Sequence, residues 1–407
     1  MTQAPDAVGA AGPAPSSGPA ATVATGEGPG RASTRVEWAN ALRGIAALSV
    51  LVAHYAVSFF TAQEGAASLA RRPPLYAGAE GAPWFARALQ AMPIEMAALG
   101  VGLFFLISGY VIAISLDRYS RRGFVVGRTL RILPTYAAGF LVTCAVVWAV
   151  SDPNGELTPW AVLAGMVPGL ANVLGVAAPA DGIVWTLIVE GVFYGVCLVA
   201  YRSLTRKWYA VVLAALACVA LQLALPHLPW SSHVPVAGLI FVVVLACPFL
   251  PVMLIGVVLS AYRRGQMGRT TVIALVPVLT VVHTVLLARN PIVRVDGEYR
   301  LTFILTIAAF CVLSVAAGGW RAHPVTDFFA DISYPLYVVH AVLGYVLLYA
   351  LTAAGVRSPV AITATSAAAI ATAWLLHLCV ERPTHRFGAR WARRLSVPRA
   401  PADPAAS

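Results

Sequence analysis

Apolar runs of about 20 residues, separated by short polar stretches, recur along most of the chain. In an α-helix, at 1.5 Å per residue, about 20 apolar residues cross the ~30 Å hydrocarbon core of a bilayer. Ten such runs lie near Asn40–Phe60, Ala98–Leu116, Ile132–Val150, Val184–Tyr201, Tyr209–Leu225, Val236–Ser260, Thr271–Ala288, Leu301–Ala317, Ile332–Ala350 and Val360–Val380. An eleventh apolar segment, Trp160–Ala178, is broken by Gly165, Pro168, Gly169 and Asn172. The pattern predicts an all-α fold, a polytopic membrane bundle of about ten transmembrane helices.

Charge decides between ten spans and eleven. With ten, 21 of the 28 basic residues fall on one side, including Arg118, Arg121, Arg122, Arg128, Arg131, Arg202, Arg206, Lys207 and the arginines after Glu381. An eleventh span would invert everything after it, so the excess of arginine on the inner side places both termini in the cytoplasm. Trp160–Ala178 is then a re-entrant or interfacial piece on the outer side, tolerable only where it packs on protein or faces water.

Composition agrees with this class. The chain is 59% hydrophobic and 11% charged, with a mean hydropathy of +0.78, which excludes a soluble globular domain. The net charge of +11 lies in loops and tails beside the membrane, so lipids and not nucleic acid are the expected partners. Residues 1–34, rich in Ala, Gly, Pro, Ser and Thr, are expected to be a disordered tail without a cleaved signal peptide. Residues 35–383 form the membrane domain, and 384–407 a basic, then Pro/Ala-rich, C-terminal tail. The six cysteines lie in apolar runs without metal-ligand spacing, so neither a metal site nor a disulfide framework is expected.

Several residues exceed what an anchor needs. Arg43 and His54 are eleven positions apart, which puts them on one helical face, roughly 16 Å apart along the axis. Ionisable groups inside a span usually mark a site or a pathway. Glu190, in WTLIVEGVFYG, reaches a depth close to that of His54, where a carboxylate or another polar neighbour would orient the imidazole as a general base. Ser333, Tyr337 and His340 share one helical face. Arg128 and Arg131, three apart in RTLR, are placed in a basic loop at a helix start, where both guanidiniums can grip phosphate. Gly100, Gly102 and Gly109 in the second run allow close helix approach, and Ser108 and Tyr194 complete a candidate substrate cavity. Each feature also has a structural reading, such as a packed core histidine or a topogenic arginine.

The motifs NALRGIAALSVLVAHY, GVGLFFLISGYVI, RTLRILPTY, WTLIVEGVFY, ISYPLYVVH and VERP occur in that order between Asn40 and Pro383. In that order they resemble the integral-membrane acyltransferase family 3, which includes O-antigen acetylases and macrolide O-acyltransferases. The resemblance implies a multi-pass enzyme of the plasma membrane. It implies transfer of an acetyl or other short acyl group from acyl-CoA, with acetyl-CoA the expected donor. The acceptor is a hydroxyl of a sugar, glycolipid or natural product. Arg43 and His54 match residues required in that family, and Arg128 and Arg131 match its R-x-x-R. Asn40-Ala41, Gly102 and Gly191 depart from the family pattern and leave the acceptor open. The alternative is a proton-coupled transporter or flippase, in which His and Glu relay protons. Against it, only one interrupted segment is visible, without the paired partner of transporter repeats.

Single-cysteine labelling of exposed positions around 123, 204, 267 and 297 tests the topology. The first three should label from the cytoplasm and the last from outside. Labelling around 204 and 267 from outside would rule out ten spans.

Overall fold

Helices make up all the regular structure among the described residues, with one long helix for each apolar run except Val236–Ser260, which forms two. The computed structural model describes residues 30–76, 81–150, 157–177, 181–228, 233–316 and 323–396, with side chains from residue 37 onward. The long helices are α1 (Glu37–Thr61), α2 (Met96–Arg118), α3 (Arg121–Val150), α4 (Val184–Ala200), α5 (Trp208–His227), α6 (Val234–Ala246), α7 (Leu250–Arg263), α8 (Arg269–Ala288), α9 (Gly297–Ala316), α10 (Ser333–Ala353) and α11 (Ser358–Arg394). Eight are long and apolar enough to span a bilayer alone, and α6 with α7 makes a ninth span, bent by 50°. The 17-residue α4 is at the short end of what crosses.

Three boundaries differ from expectation, and the broken apolar segment Trp160–Ala178 fits it by not spanning. The described part of that segment forms two short helices, Pro159–Gly165 and Leu170–Leu174, joined through Gly169 at φ 82°. Neither can span, and the second packs so tightly on α6 that a Cβ at Gly238 would lie 2.0 Å from the Asn172 carbonyl. The basic loop is instead the start of α3. Nothing between Arg121 and Arg131 breaks a helix, so Arg128 and Arg131 project from helical turns. Arg382–Arg394 is helical, not a free tail, because it packs along α3 where Gly123, Gly127 and Gly388 admit close approach. At the other end the first helix already begins at Gly30, while the rest of the expected disordered tail, like 397–407, lies outside the described residues.

At the centre is α7, buried from Leu250 to Ala261. It meets α2 at backbone contact distance. A Cβ on Gly109 would fall 1.9 Å from the Met253 carbonyl, and one on Gly256 would fall 2.2 Å from the Leu106 carbonyl. On its other side α2 meets α1 through Gly100, against Val50 and the Ala46 carbonyl. Glu95 starts α2 by accepting from the Ala97 and Ala98 amides, and its own amide donates to Thr302 of α9.

The α6–α7 bend follows from Pro248 and Pro251. Proline at 248 has no N–H, so the Val244 carbonyl loses its partner four residues on. Inside a bundle that carbonyl needs another donor. Asn290 Nδ2 supplies it at 2.9 Å, and also donates to Gln222 Oε1. Its Oδ1 accepts from the Ile292 and Val293 amides, so the Asn290 side chain is used fully. The Pro248 carbonyl is bonded by His283 Nδ1 at 2.6 Å.

Asn290→Ala strands the Val244 carbonyl and should cost roughly 2 kcal/mol. The measure is the unfolding midpoint in detergent, with exposed Arg289→Ala as the control. Equal midpoints for the two variants would mean that Asn290 does not hold the bend.

Candidate active site

Three long-range packings bring the chemistry together. The α1–α2 contact through Gly100 presents Arg43 beside Ser108. The α3–α10 contact, where a Cβ on Gly139 would meet Val338, sets Arg128 and Arg131 near Ser333 and Tyr337. Asp181 sets the start of α4, and so the level of Glu190. Its Oδ1 accepts from the Ile183 and Val184 amides at 3.0 and 2.9 Å, and its Oδ2 from the Tyr136 hydroxyl at 3.0 Å. Burial pushes the Asp181 carboxyl up, against these hydrogen bonds, which favour the carboxylate.

Between these helices is a cavity of about 100 Å³. Arg43, Ser108, Arg128, Arg131, Glu190, Ser333 and Tyr337, all singled out in the sequence, line it together with Thr186 and Tyr334. Glu190 accepts from Ser108 at 2.8 Å and from Tyr194 at 2.5 Å. Arg128 donates to Ser115 at 2.8 Å and stacks over Phe124 and Tyr194. Among the described residues, Arg43 and Arg131 have neither a hydrogen bond nor a carboxylate within ion-pair distance. Arg43 is repelled by Arg131 and Arg128 and attracted by Glu381 and Glu190. Three guanidiniums therefore converge in the bundle interior with too little counter-charge beside them, which favours an anionic occupant.

His54 and His340 lie outside this cavity wall. His54 opens a π-helical turn, Ala53–Ser58, of the kind frequent at functional sites. Tyr55 pins the turn, donating to the His340 carbonyl at 2.6 Å with its ring in the space a Cβ on Gly344 would need. The partner of His54 Nδ1 is the Tyr345 hydroxyl at 2.7 Å, not Glu190, whose bonds run to Ser108 and Tyr194. The other polar neighbour anticipated for His54 is thus Tyr345. His340 stands edge-on to His54, with ring centroids 4.7 Å apart. Its Nδ1 bonds the Tyr337 carbonyl at 2.8 Å, and its buried Nε2 has no partner among the described residues. The Tyr337 ring touches His340 at 5.5 Å and also lines the cavity, so one aromatic side chain stands between the arginines and the histidine pair. The Tyr337 hydroxyl is bonded to Thr186 at 2.9 Å.

Residues 36–378 match the family model described as an acyltransferase domain. No curated protein and no solved structure matches the chain. The chain belongs to the family-3 acyltransferases, and is a multi-pass membrane acyltransferase.

Sequence reasoning missed Tyr345, Thr186, Tyr334 and the pair His377–Glu381. Tyr345 is five residues after His340 in the same apolar run, a spacing that does not mark a shared helical face. Glu381 stands in VERP, whose buried position depends on a second π turn, His377–Glu381, closed by His377 Nδ1 to Glu381 Oε2 at 2.8 Å.

Unpaired cavity arginines make the fold sensitive to anions. Inorganic pyrophosphate at 100 times its dissociation constant should stabilise the detergent-solubilised protein by roughly 2.7 kcal/mol. Arg43→Gln with Arg131→Gln should abolish this. Equal stabilisation of wild type and double variant would show that the anion acts elsewhere.

Proposed function

We propose that the protein is an O-acyltransferase of the plasma membrane. It moves an acetyl or other short acyl group from acyl-CoA to a hydroxyl of a sugar, glycolipid or macrolide-type natural product. The observation that carries this is the convergence of Arg43, Arg128 and Arg131 on one interior cavity with Arg43 and Arg131 unpaired. CoA supplies the missing anions as phosphates, which guanidiniums bind through paired hydrogen bonds. Holding the donor at one end positions the thioester at the other, which removes much of the entropic cost of the encounter.

The transfer step uses His54. With Nδ1–H donating to Tyr345, its Nε2 lone pair takes the proton from the acceptor hydroxyl. The oxygen attacks the thioester carbonyl, the C–S bond breaks, and the departing CoA thiolate takes up the proton that His54 removed from the hydroxyl. No serine or cysteine in the sequence carries a covalent-nucleophile motif, and Ser108 in the cavity is bonded to Glu190 and not to a histidine, so we adopt direct transfer. Glu190 acts on the cavity side as counter-charge to the arginines. Tyr337 stands where the thioester must pass to reach His54.

Two sets of variants test this. Arg128→Ala with Arg131→Ala should weaken CoA binding with little loss of folded protein, and Arg131→Lys should rescue only part because it lacks the planar fork. Wild-type CoA affinity in the double variant would refute the donor site. His54→Gln and His54→Ala should each lower turnover by about 10²- to 10⁴-fold, the usual worth of a general base, with CoA binding near wild type. Near wild-type turnover in His54→Gln would leave His54 as a packing residue.

A further inference from the structure

The VERP segment and the helix after it have no part in the transfer step, yet they meet the arginine cluster. Beyond its π turn, α11 runs along α3 at close range, with a Cβ on Gly388 only 2.9 Å from the Leu130 side chain. That approach carries His385 to a second cavity of about 110 Å³. Arg128 and Arg131 line both cavities, and His385, Ser115, Tyr119 and Phe124 line the second. His385 is solvent-exposed and, among the described residues, makes no hydrogen bond or ion pair. The charged neighbours that act on it are Arg131, Arg128, Arg43 and His377, with no carboxylate in the set. An imidazole held among arginines without a counter-ion is a place for a further anion, distinct from the one the first cavity takes.

We propose that His385, with Arg128 and Arg131, forms a second anion subsite that takes the terminal phosphomonoester of the donor nucleotide, in CoA the 3′-phosphate. This rests on the reading of acyl-CoA as donor. The order of sites matches the order of groups along that molecule. The Tyr337 end of the first cavity takes the acyl-pantetheine arm, the shared arginines stand between the diphosphate and the 3′-phosphate, and His385 meets the 3′-phosphate beyond them. A phosphate on a lipid headgroup has the same chemistry, so the experiment separates the two sources.

Calorimetry in neutral detergent would compare CoA with 3′-dephospho-CoA. Wild type should prefer CoA roughly tenfold, the worth of one charge-assisted hydrogen bond. His385→Ala should remove most of that preference, His385→Arg should keep it, and Arg386→Ala, on the same helix but outside the cavity lining, should keep it too. Equal binding of the two ligands by wild type would overturn the subsite and leave the donor reading intact. No binding of either would overturn the donor reading itself. Loss of preference in Arg386→Ala as large as in His385→Ala would mean a diffuse field and also overturn the subsite. Native mass spectrometry with phosphatidylglycerol gives the lipid arm. If His385→Ala loses bound lipid but keeps the preference for CoA, the subsite belongs to the headgroup and the proposal fails.

Discussion

Three arginines inside a helix bundle are the constraint around which the rest of the structure is arranged. A guanidinium stays charged at any working pH, so burial cannot be relieved by losing a proton. Arg128 is held by Ser115 and two aromatic faces, a neutral cradle that positions the charge without cancelling it. Glu190 is occupied by two hydroxyls, and Glu381 is held by His377. Both carboxylates reach Arg43 through space but neither closes an ion pair with it. The arrangement keeps the arginines available to a ligand, at the expense of their mutual repulsion when the cavity is empty of anions.

Such a site needs rigid walls, and the bundle builds them from backbone contact. The α2–α7 and α1–α2 interfaces touch through glycines, which fixes Ser108 and Arg43 relative to each other. In lipid, helix association relies on this close packing because burial of apolar side chains is no gain there. The proline bend between α6 and α7 would leave bare carbonyls in the interior. Asn290 and His283 cover two of them, so the fold keeps the bend without unsatisfied backbone at those points.

The histidines occupy a separate compartment. Tyr345, Tyr55 and His340 hold His54 at a π turn, where the extra residue per turn changes which side chains face inward. Tyr337 contacts both compartments. The arginine cluster and the histidine pair are thus held apart, with one aromatic side chain between them.

The sequence by itself determined the class of fold, because ten apolar runs of bilayer length permit little but a helical membrane bundle. It also determined which residues are out of place in one. Arg43, Glu190, His54 and His340 stand out because ionisable groups in hydrocarbon are costly, and that cost is readable from one position at a time. Pairing was not readable. Glu190 and His54 have similar depths, but depth leaves the rotation of each helix free. The glycine contacts of α1, α2, α7 and α10 go with the pairing of Tyr345 to His54 and of Ser108 to Glu190, while Tyr194 reaches Glu190 from one turn on along α4. Likewise Arg128 and Arg131 could be assigned to a loop or a helix until α11 was seen to pack along α3. Only the tertiary structure decided these partners, because contacts between helices depend on side-chain shape across distant segments, while the pattern along the chain reports only each segment's own preference for lipid or water.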